Sequence, residues 1–458
     1  MNDSITSIIG LKDDEVDFCK EVIQRENNSD IHYFYVRLKN HGGRCPSCGT
    51  FTKRVKEYKE RTIKHSIFIQ DKCTVKYSSR RFKCPRCNTT FSENNPFQKE
   101  YKALTDKTVN NTLELLRNYN ETFTSVARKV QLSKTEVIKI FDEHVQLERN
   151  QLSQCIALDE FYFSRKARKK YALMILSLDK GYVIDLHSNR EKHSLLSYFR
   201  SIPSNERDQV QYISIDLFDN YRQVAYTCFP KAKVCADPFH VIKLINKALD
   251  DVRLKLLRTI EDKHSDDYYL LKYRKRLLFT NMQEDSYTEV KHNHHFKYRV
   301  SNQRQLEMML ALDAELEKAW HLKEKYVIFD KENLSKEKRL ETLECIIDEY
   351  ISSGIKEFIG VGITLNEWKN EILNSYNIIQ KNITLSSGKR RKIETRVTNG
   401  PIEGRNKYIK IILNLANGYQ NFDRFRNRAM FVLNKRTSFS TTKLKNKVKR
   451  ITKGLKNG

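Results

Sequence analysis

The sequence predicts an α/β core, preceded by a small cysteine-knuckle module and a helical segment, and interrupted by a long helical stretch. Three observations carry this reading. Two short apolar runs each end in an aspartate, Cys155-Ile156-Ala157-Leu158-Asp159 and Tyr212-Ile213-Ser214-Ile215-Asp216. Two CxxC pairs, Cys45-Pro46-Ser47-Cys48 and Cys84-Pro85-Arg86-Cys87, stand near the N-terminus. Helical periodicity then dominates from Val241 to about residue 380.

The core comes first because it organises the rest. Between the two aspartate-ending runs, residues 171–178 and 182–187 read as strands joined by an Asp179-Lys180-Gly181 turn. A helix over 192–200 leads to the second run, and helix 220–228 and strand 232–236 follow it. A helical connection between strands implies a right-handed crossover. If runs 155–159 and 212–216 are parallel neighbours, Asp159 and Asp216 emerge together at carboxyl ends, where open α/β sheets place ligands. Adjacent carboxylates repel, and stay ionised mainly when a cation lies between them, so the pair predicts a divalent-metal site. A strand-end aspartate is also a common turn former or helix cap. Asp219, directly ahead of a helical pattern, reads as such an N-cap.

Composition narrows the function. The chain has 458 residues and a net charge of +27, with 84 Lys+Arg against 57 Asp+Glu. That excess draws polyanions, and nucleic acid is the usual one. A 39% hydrophobic content with seven prolines and fourteen glycines fits a globular chain without long disordered linkers. No run of roughly 18 apolar residues, no signal pattern and no lipidation motif is visible, so no membrane partner is expected and the protein is placed in the cytosol. Ten cysteines there are thiols and metal ligands rather than disulfides.

Residues 1–98 form a hairpin lead-in and the cysteine module, with strands expected at 16–24, 31–38, 63–69 and 73–77. Two CxxC knuckles can put four thiolates on one tetrahedral ion, so Cys45, Cys48, Cys84 and Cys87 are assigned to one structural Zn²⁺. Cys73 and His65 lie in the intervening loop as substitute ligands, or as a buried thiol and a strand histidine. Arg80, Arg81, Lys83 and Arg86 give this module a basic face. Residues 99–150 read as helices, with a helix-turn-helix over 124–144. Ser133 and Glu136 make a capping box at the start of its second helix. In such a motif Lys134, Thr135 and Lys139 would face DNA; an ordinary helical hairpin has the same pattern.

Residues 241–395 are expected to be an all-helical insertion, with helices at 241–260, 303–325, 336–352 and 365–376. The run Lys389-Arg390-Arg391-Lys392 reads as a solvated loop or a phosphate contact. Thr398-Asn399-Gly400-Pro401-Ile402-Glu403-Gly404-Arg405-Asn406 then opens a helix with Pro401 in its first turn. Glu403 there complements the helix dipole or supplies a third metal ligand. Residues 435–458 hold nine Lys/Arg and no acid, a basic tail suited to phosphates.

The double knuckle, Ile156-Ala157-Leu158-Asp159-Glu160, Ile215-Asp216-Leu217-Phe218-Asp219-Asn220-Tyr221-Arg222, Ala236-Asp237-Pro238-Phe239-His240 and the segment 398–406 together resemble the ISL3 family of bacterial insertion-sequence transposases. Gly418-Tyr419-Gln420-Asn421-Phe422 is similar to that family's glycine-tyrosine segment. The resemblance covers nearly the whole chain in one order. It implies an RNase H-like core split as 151–240 and 396–434 around the insertion. It also implies a DDE triad of Asp159, Asp216 and Glu403 holding two Mg²⁺ (or Mn²⁺), with Asp159 bridging both ions, and a supporting Asp237-x-x-His240. Terminal inverted repeats and target DNA would be the partners, held by a homodimer or higher oligomer on the bacterial nucleoid, with Arg405 also near DNA. A catalytically inactive regulator of the same fold, or a metal-dependent nuclease without strand transfer, would share much of this pattern.

Overall fold

The computed structural model describes residues 3–26, 29–66, 72–97, 103–164, 170–280, 288–384 and 390–434; Lys389 and the basic tail from 435 lie outside them. The chain divides into two compact units, one of residues 1–149, 162–170 and 405–458, the other of 150–161 and 171–404.

The second unit is built on a five-stranded sheet. Its strands are β1 (Cys155–Tyr162), β2 (Tyr171–Ser177), β3 (Val183–His187), β4 (Tyr212–Ile215) and β5 (Lys233–Ala236), in spatial order β3-β2-β1-β4-β5. β2 and β3 pair antiparallel, while β4 runs parallel to both β1 and β5. Near-continuous apolar runs make these strands because both faces are covered; β2 is buried from Ala172 to Ser177. Helices Lys192–Arg200 and Asp219–Cys228 supply part of that cover with Leu195, Phe199, Tyr221, Val224 and Cys228. Asp219 does not cap its helix: Phe218 holds the N-cap position, and the Asp219 carboxylate instead accepts from Gln223, one turn on.

Long helices follow at Pro238–Thr259, Ala314–Lys331, Lys336–Ile351 and Lys356–Glu367. Their Trp320, Leu343, Tyr350 and Phe358 belong to the same hydrophobic cluster as Ile156, Leu158, Ile213 and Val234 of the sheet. The insertion is therefore packed into the core rather than appended to it. It is also not all-helical. Val290–His292 pairs with Arg299–Ser301, and Ile378–Thr384 pairs antiparallel with Arg390–Arg396 over seven residue pairs. The second hairpin escapes a sequence reading because one strand, Arg-Arg-Lys-Ile-Glu-Thr-Arg, is almost wholly charged and looks like a loop. The helix expected at 303–325 is likewise two, because the Asp313 carboxylate accepts from Leu316 N–H at 2.8 Å and starts a new one.

The first unit holds a sheet in which Ser29–Leu38 and Val55–Lys64 flank Lys72–Lys83, with Val16–Glu26 on the outer edge and Thr90–Ser92 alongside. Phe34, Val36, Ile63, Val75 and Tyr77 form its core, together with Cys73. His65 is buried between the Thr105 hydroxyl, 2.8 Å away, and the Ile8 carbonyl. Neither Cys73 nor His65 serves as a substitute metal ligand. Arg80 is not part of a basic face either: it is 3% exposed, paired with Glu93 at 3.1 Å and bonded to the Leu38 carbonyl.

Three helices follow in this unit, Asp106–Leu115, Phe123–Lys129 and Lys134–His144. Ser133 and Glu136 form the expected capping box, Glu136 N–H lying 3.1 Å from Ser133 Oγ. Val126, Val137, Ile140 and Phe141 interlock, and Phe431 of helix Phe422–Leu433 completes their core. Asn421 of the glycine-tyrosine segment caps that last helix. Arg424 binds Asp142 through two nitrogens, and the buried Arg428 donates to the carbonyls of Asn118 and Glu121.

Candidate active site and cysteine cluster

The four cysteines are placed by backbone alone. Gly49 N–H donates to the Cys45 carbonyl at 2.9 Å, and Asn88 N–H to the Cys84 carbonyl at 3.1 Å. Both donors sit at positive φ, 72° and 60°, so each knuckle folds back on its first cysteine in the same way. The result brings Cys45 Sγ to 3.5 Å from Cys87 Sγ and Cys48 Sγ to 3.5 Å from Cys84 Sγ. All four sulfurs lie within 4.8 Å of one another. Zn–S bonds of about 2.3 Å in a tetrahedron put sulfurs about 3.8 Å apart, so the set fits zinc. Thr50 and Thr89 hydroxyls lie 3.3 and 3.2 Å from Cys48 and Cys87 and lower both thiols, Cys48 to about 6. Around this cluster Arg86 is exposed, Lys83 is half-buried and Arg81 is paired with Glu57.

The acids are placed by strand register. β4 meets β1 at Tyr212↔Cys155 and Ser214↔Ala157, and meets β5 at Tyr212↔Lys233 and Ile215↔Ala236. The β4–β5 register stops one residue short of Asp216 and Asp237, and Asp237 N–H bonds the Ile215 carbonyl at 2.8 Å; Asp159 lies two residues beyond the last β4–β1 pair. Asp216 and Asp237 thus directly follow β4 and β5, whereas Asp159 sits within the adjacent β1, which runs on to Tyr162 instead of ending at the aspartate as the sequence suggests. Burial pushes Asp159 and Asp216 up to about 6 each; Glu160 and Asp237 add to the first, Asp159 and Glu160 to the second, and His240 lowers both. Asp216 Oδ1 is buried with no hydrogen-bond partner. A buried, charge-crowded carboxylate oxygen without a donor is what a hard cation would satisfy.

Asp237 differs from its neighbours. It is 1% exposed, and its carboxylate accepts from Thr398 Oγ1 at 3.1 Å, Asn399 N–H at 2.8 Å and His240 Nδ1 at 3.0 Å. His240 rises above its ordinary value, first through that hydrogen bond. Glu160, next to Asp159, is turned to Arg190 and Tyr221. Glu403 lies in the first turn of helix Gly400–Leu415, exposed, with its N–H on the Asn399 carbonyl at 3.2 Å. Among the described residues the cysteines alone gather three or more ligand atoms within 4.8 Å; the acids do not. Sequence reasoning missed Thr398 and Asn399, although two small polar residues just ahead of Gly-Pro are an N-cap signal.

A family model described as a transposase matches residues 156–429, more than half of the chain. A second, described as the zinc-finger of transposase IS204/IS1001/IS1096/IS1165, matches residues 41–87. The chain belongs to the ISL3 family of insertion-sequence transposases. It is 28% identical over 109 residues to the transposases for insertion sequence element IS1557 of Mycobacterium tuberculosis strains CDC 1551 / Oshkosh and ATCC 25618 / H37Rv. That stretch is 24% of this chain and 24% of each relative, so the match spans about a quarter of the curated relatives' length. As in the ISL3 zinc ribbon, both knuckles of this family member fall in the first 90 residues, and the sheet with its aspartates falls in the transposase match. No helix among the described residues is long and apolar enough to cross a membrane.

Proposed function

We propose that the chain is the DNA-cleaving and strand-joining enzyme of an insertion sequence, acting through an RNase H-like core with Asp159, Asp216 and Glu403 as its triad. The observation that carries this reading is the pair of carboxyls raised by burial on neighbouring parallel strands, Asp159 within β1 and Asp216 just after β4, with the orphaned buried oxygen of Asp216. The sheet order, an antiparallel flank beside three parallel strands, supports an RNase H-like fold. Asp159 and Asp216 would hold Mg²⁺ or Mn²⁺, with Asp159 shared between two ions and Glu403 completing the set. Bound divalent ions supply an activated water and stabilise charge on the oxygens at phosphorus, without a protein nucleophile.

DNA recognition is assigned to the first unit and phosphate contact to both. Lys134, Thr135 and Lys139 are all exposed on helix Lys134–His144, the face a helix-turn-helix would lay in the major groove. Arg86 near the zinc site and Arg391 and Lys392 on the hairpin are exposed cations suited to phosphates, and Arg405, half-buried, would follow Glu403 toward the DNA. Terminal inverted repeats and target DNA are the proposed partners, bound by a dimer or higher oligomer on the nucleoid.

The test is a strand-joining assay with the full chain, Mg²⁺ and a duplex carrying the inverted repeat that flanks the gene. Joined product is expected with the wild-type chain and not with Glu403→Gln. Cleavage without any joining would leave a nuclease. Normal joining by Glu403→Gln would return that residue to a helix-dipole role.

A further inference from the structure

We infer that Asp237 is a positioning residue: with Thr398 and Asn399 it forms a clip that fixes the start of the Glu403 helix against the strand ends. The inference rests on the catalytic reading above and deepens it. All three acids on the row could hold a cation by residue type, yet their surroundings separate them. Asp216 keeps a buried oxygen without a partner. Asp237 has both oxygens engaged, Oδ1 by Thr398 Oγ1 and Asn399 N–H, Oδ2 by His240 Nδ1. A carboxylate saturated in this way has little left for a metal ion.

The other end of the clip points the same way. Asn399 is 3% exposed, its Nδ2 reaches the carbonyl of Leu158, the residue before Asp159, and its own carbonyl accepts from Ile402 and Glu403 N–H. Thr398 Oγ1 also accepts from Gly400 N–H at 3.2 Å. The first turn carrying Glu403 is thereby tied to β1 and β5 at once. The approach to the clip is held as well. Arg396 donates to Asp330 at 2.7 Å and to Ser375, and it stacks on Tyr376, which Arg339 also covers, each guanidinium 3.7 Å from the ring centroid. Asp330 and Arg339 lie on insertion helices, so the insertion holds the segment that delivers the third acid.

A metal ligand needs the charge, whereas a clip needs an acceptor. Asp237→Asn keeps an amide oxygen for Thr398 and Asn399; Asp237→Ala removes it. Full-length variants are compared by amide exchange over residues 398–404, by calorimetric titration with Mn²⁺, and by end cleavage. The clip predicts wild-type protection, Mn²⁺ affinity within about threefold of wild type and most of the cleavage for Asp237→Asn. It predicts exchange about ten- to a hundredfold faster and cleavage lost for Asp237→Ala, the size expected when a charge-assisted bond is removed. Thr398→Val, with Thr398→Ser as the rescue, gives the same readout if Asp237→Ala does not fold. Unchanged protection in Asp237→Ala, or in Thr398→Val where that variant replaces it, overturns the clip. So does loss of Mn²⁺ binding in Asp237→Asn with protection intact. Normal cleavage by Asp216→Asn would instead overturn the catalytic reading and leave the exchange result standing.

Discussion

The cysteine cluster and the proposed acidic site are built in opposite ways. The cysteines come as two local turns with matching hydrogen bonds, and the backbone alone brings all four sulfurs within 4.8 Å. The acids come from strand β1, the residue after β4 and a helix, spread between residues 159 and 403, and among the described residues no three of them gather within 4.8 Å. An ordinary thiol titrates above neutral pH, so a protein can gather several in advance at little electrostatic cost, even with Cys48 lowered to about 6. Carboxylates at neutral pH are charged, and burying them together costs free energy until a cation compensates.

The largest effect should follow from removing charge at the acidic row. Asp159→Asn or Asp216→Asn keeps the side-chain shape and leaves the sheet core of Ile156, Leu158, Ile213 and Ile215 untouched. Cleavage of end-containing DNA should fall by about a thousandfold or more, a loss on the scale of one major electrostatic contributor. Zinc content and the melting of the first unit should not change. Near-normal cleavage by either variant breaks the comparison, because the row would then not be the site.

The second effect concerns folding. Cys48→Ser should lose zinc and unfold the cysteine module, since binding free energies of ~10–16 kcal/mol in small zinc modules are also folding free energies. The core sheet should keep its own melting transition. Metal analysis and limited proteolysis of purified protein check this. Stoichiometric zinc in a Cys48→Ser/Cys84→Ser double variant would remove the cluster from the argument.

How much of the molecule is legible in its sequence follows from the same contrast. Local devices are readable: both knuckles and the Ser133–Glu136 capping box lie where the sequence puts them, and the second run ends at Asp216, although the first continues as strand past Asp159 to Tyr162. Devices that depend on a distant partner are not. Arg80 looks like a surface cation until Glu93 and the Leu38 carbonyl are seen to bury it. Strand Arg390–Arg396 looks like a loop until its partner Ile378–Thr384 is placed beside it. Helix Phe422–Leu433 reads as the end of the catalytic part, but its Phe431 completes the core of the N-terminal helices. An isolated fragment ending near residue 150 would lack that residue, so binding is better tested in the whole chain.

A third effect sharpens the electrostatic half of the comparison. Asp159 and Asp216 stand at about 6 in the fold, above the usual carboxylate value near 4. For a raised acid the folded state binds more protons than the unfolded one, so stability falls as pH rises from about 4 through about 6. Each carboxyl, raised from about 4 to about 6, should cost on the order of 3 kcal/mol across that window in chelator. Mg²⁺ should remove most of the slope, and Asp216→Asn about half of it, because burial is the first cause for each group. Calorimetric melting from pH 4.5 to 7 measures it. A flat profile in chelator would mean that the two carboxylates are not crowded.

The smallest effect tests whether recognition is separate from the acidic row. Lys134 and Lys139 are exposed on helix Lys134–His144, whose buried residues Val137, Ile140 and Phe141 set its orientation from below. Replacing either lysine with alanine should leave melting unchanged, because neither packs in the core. Removing one phosphate-binding cation should reduce the salt slope of DNA binding by about 0.9 and weaken affinity on end and scrambled duplexes alike. Thr135, a candidate base-edge reader, should behave differently: Thr135→Ala should narrow the preference for end DNA by roughly 1 kcal/mol with the salt slope unchanged. Cleavage per bound complex should stay at the wild-type rate in all three variants, since the acids are intact. Gel shifts over a salt series, with cleavage measured at saturating protein, separate these outcomes. If Lys139→Ala lowers cleavage at saturation while leaving the salt slope as it was, helix Lys134–His144 is not the DNA-facing element.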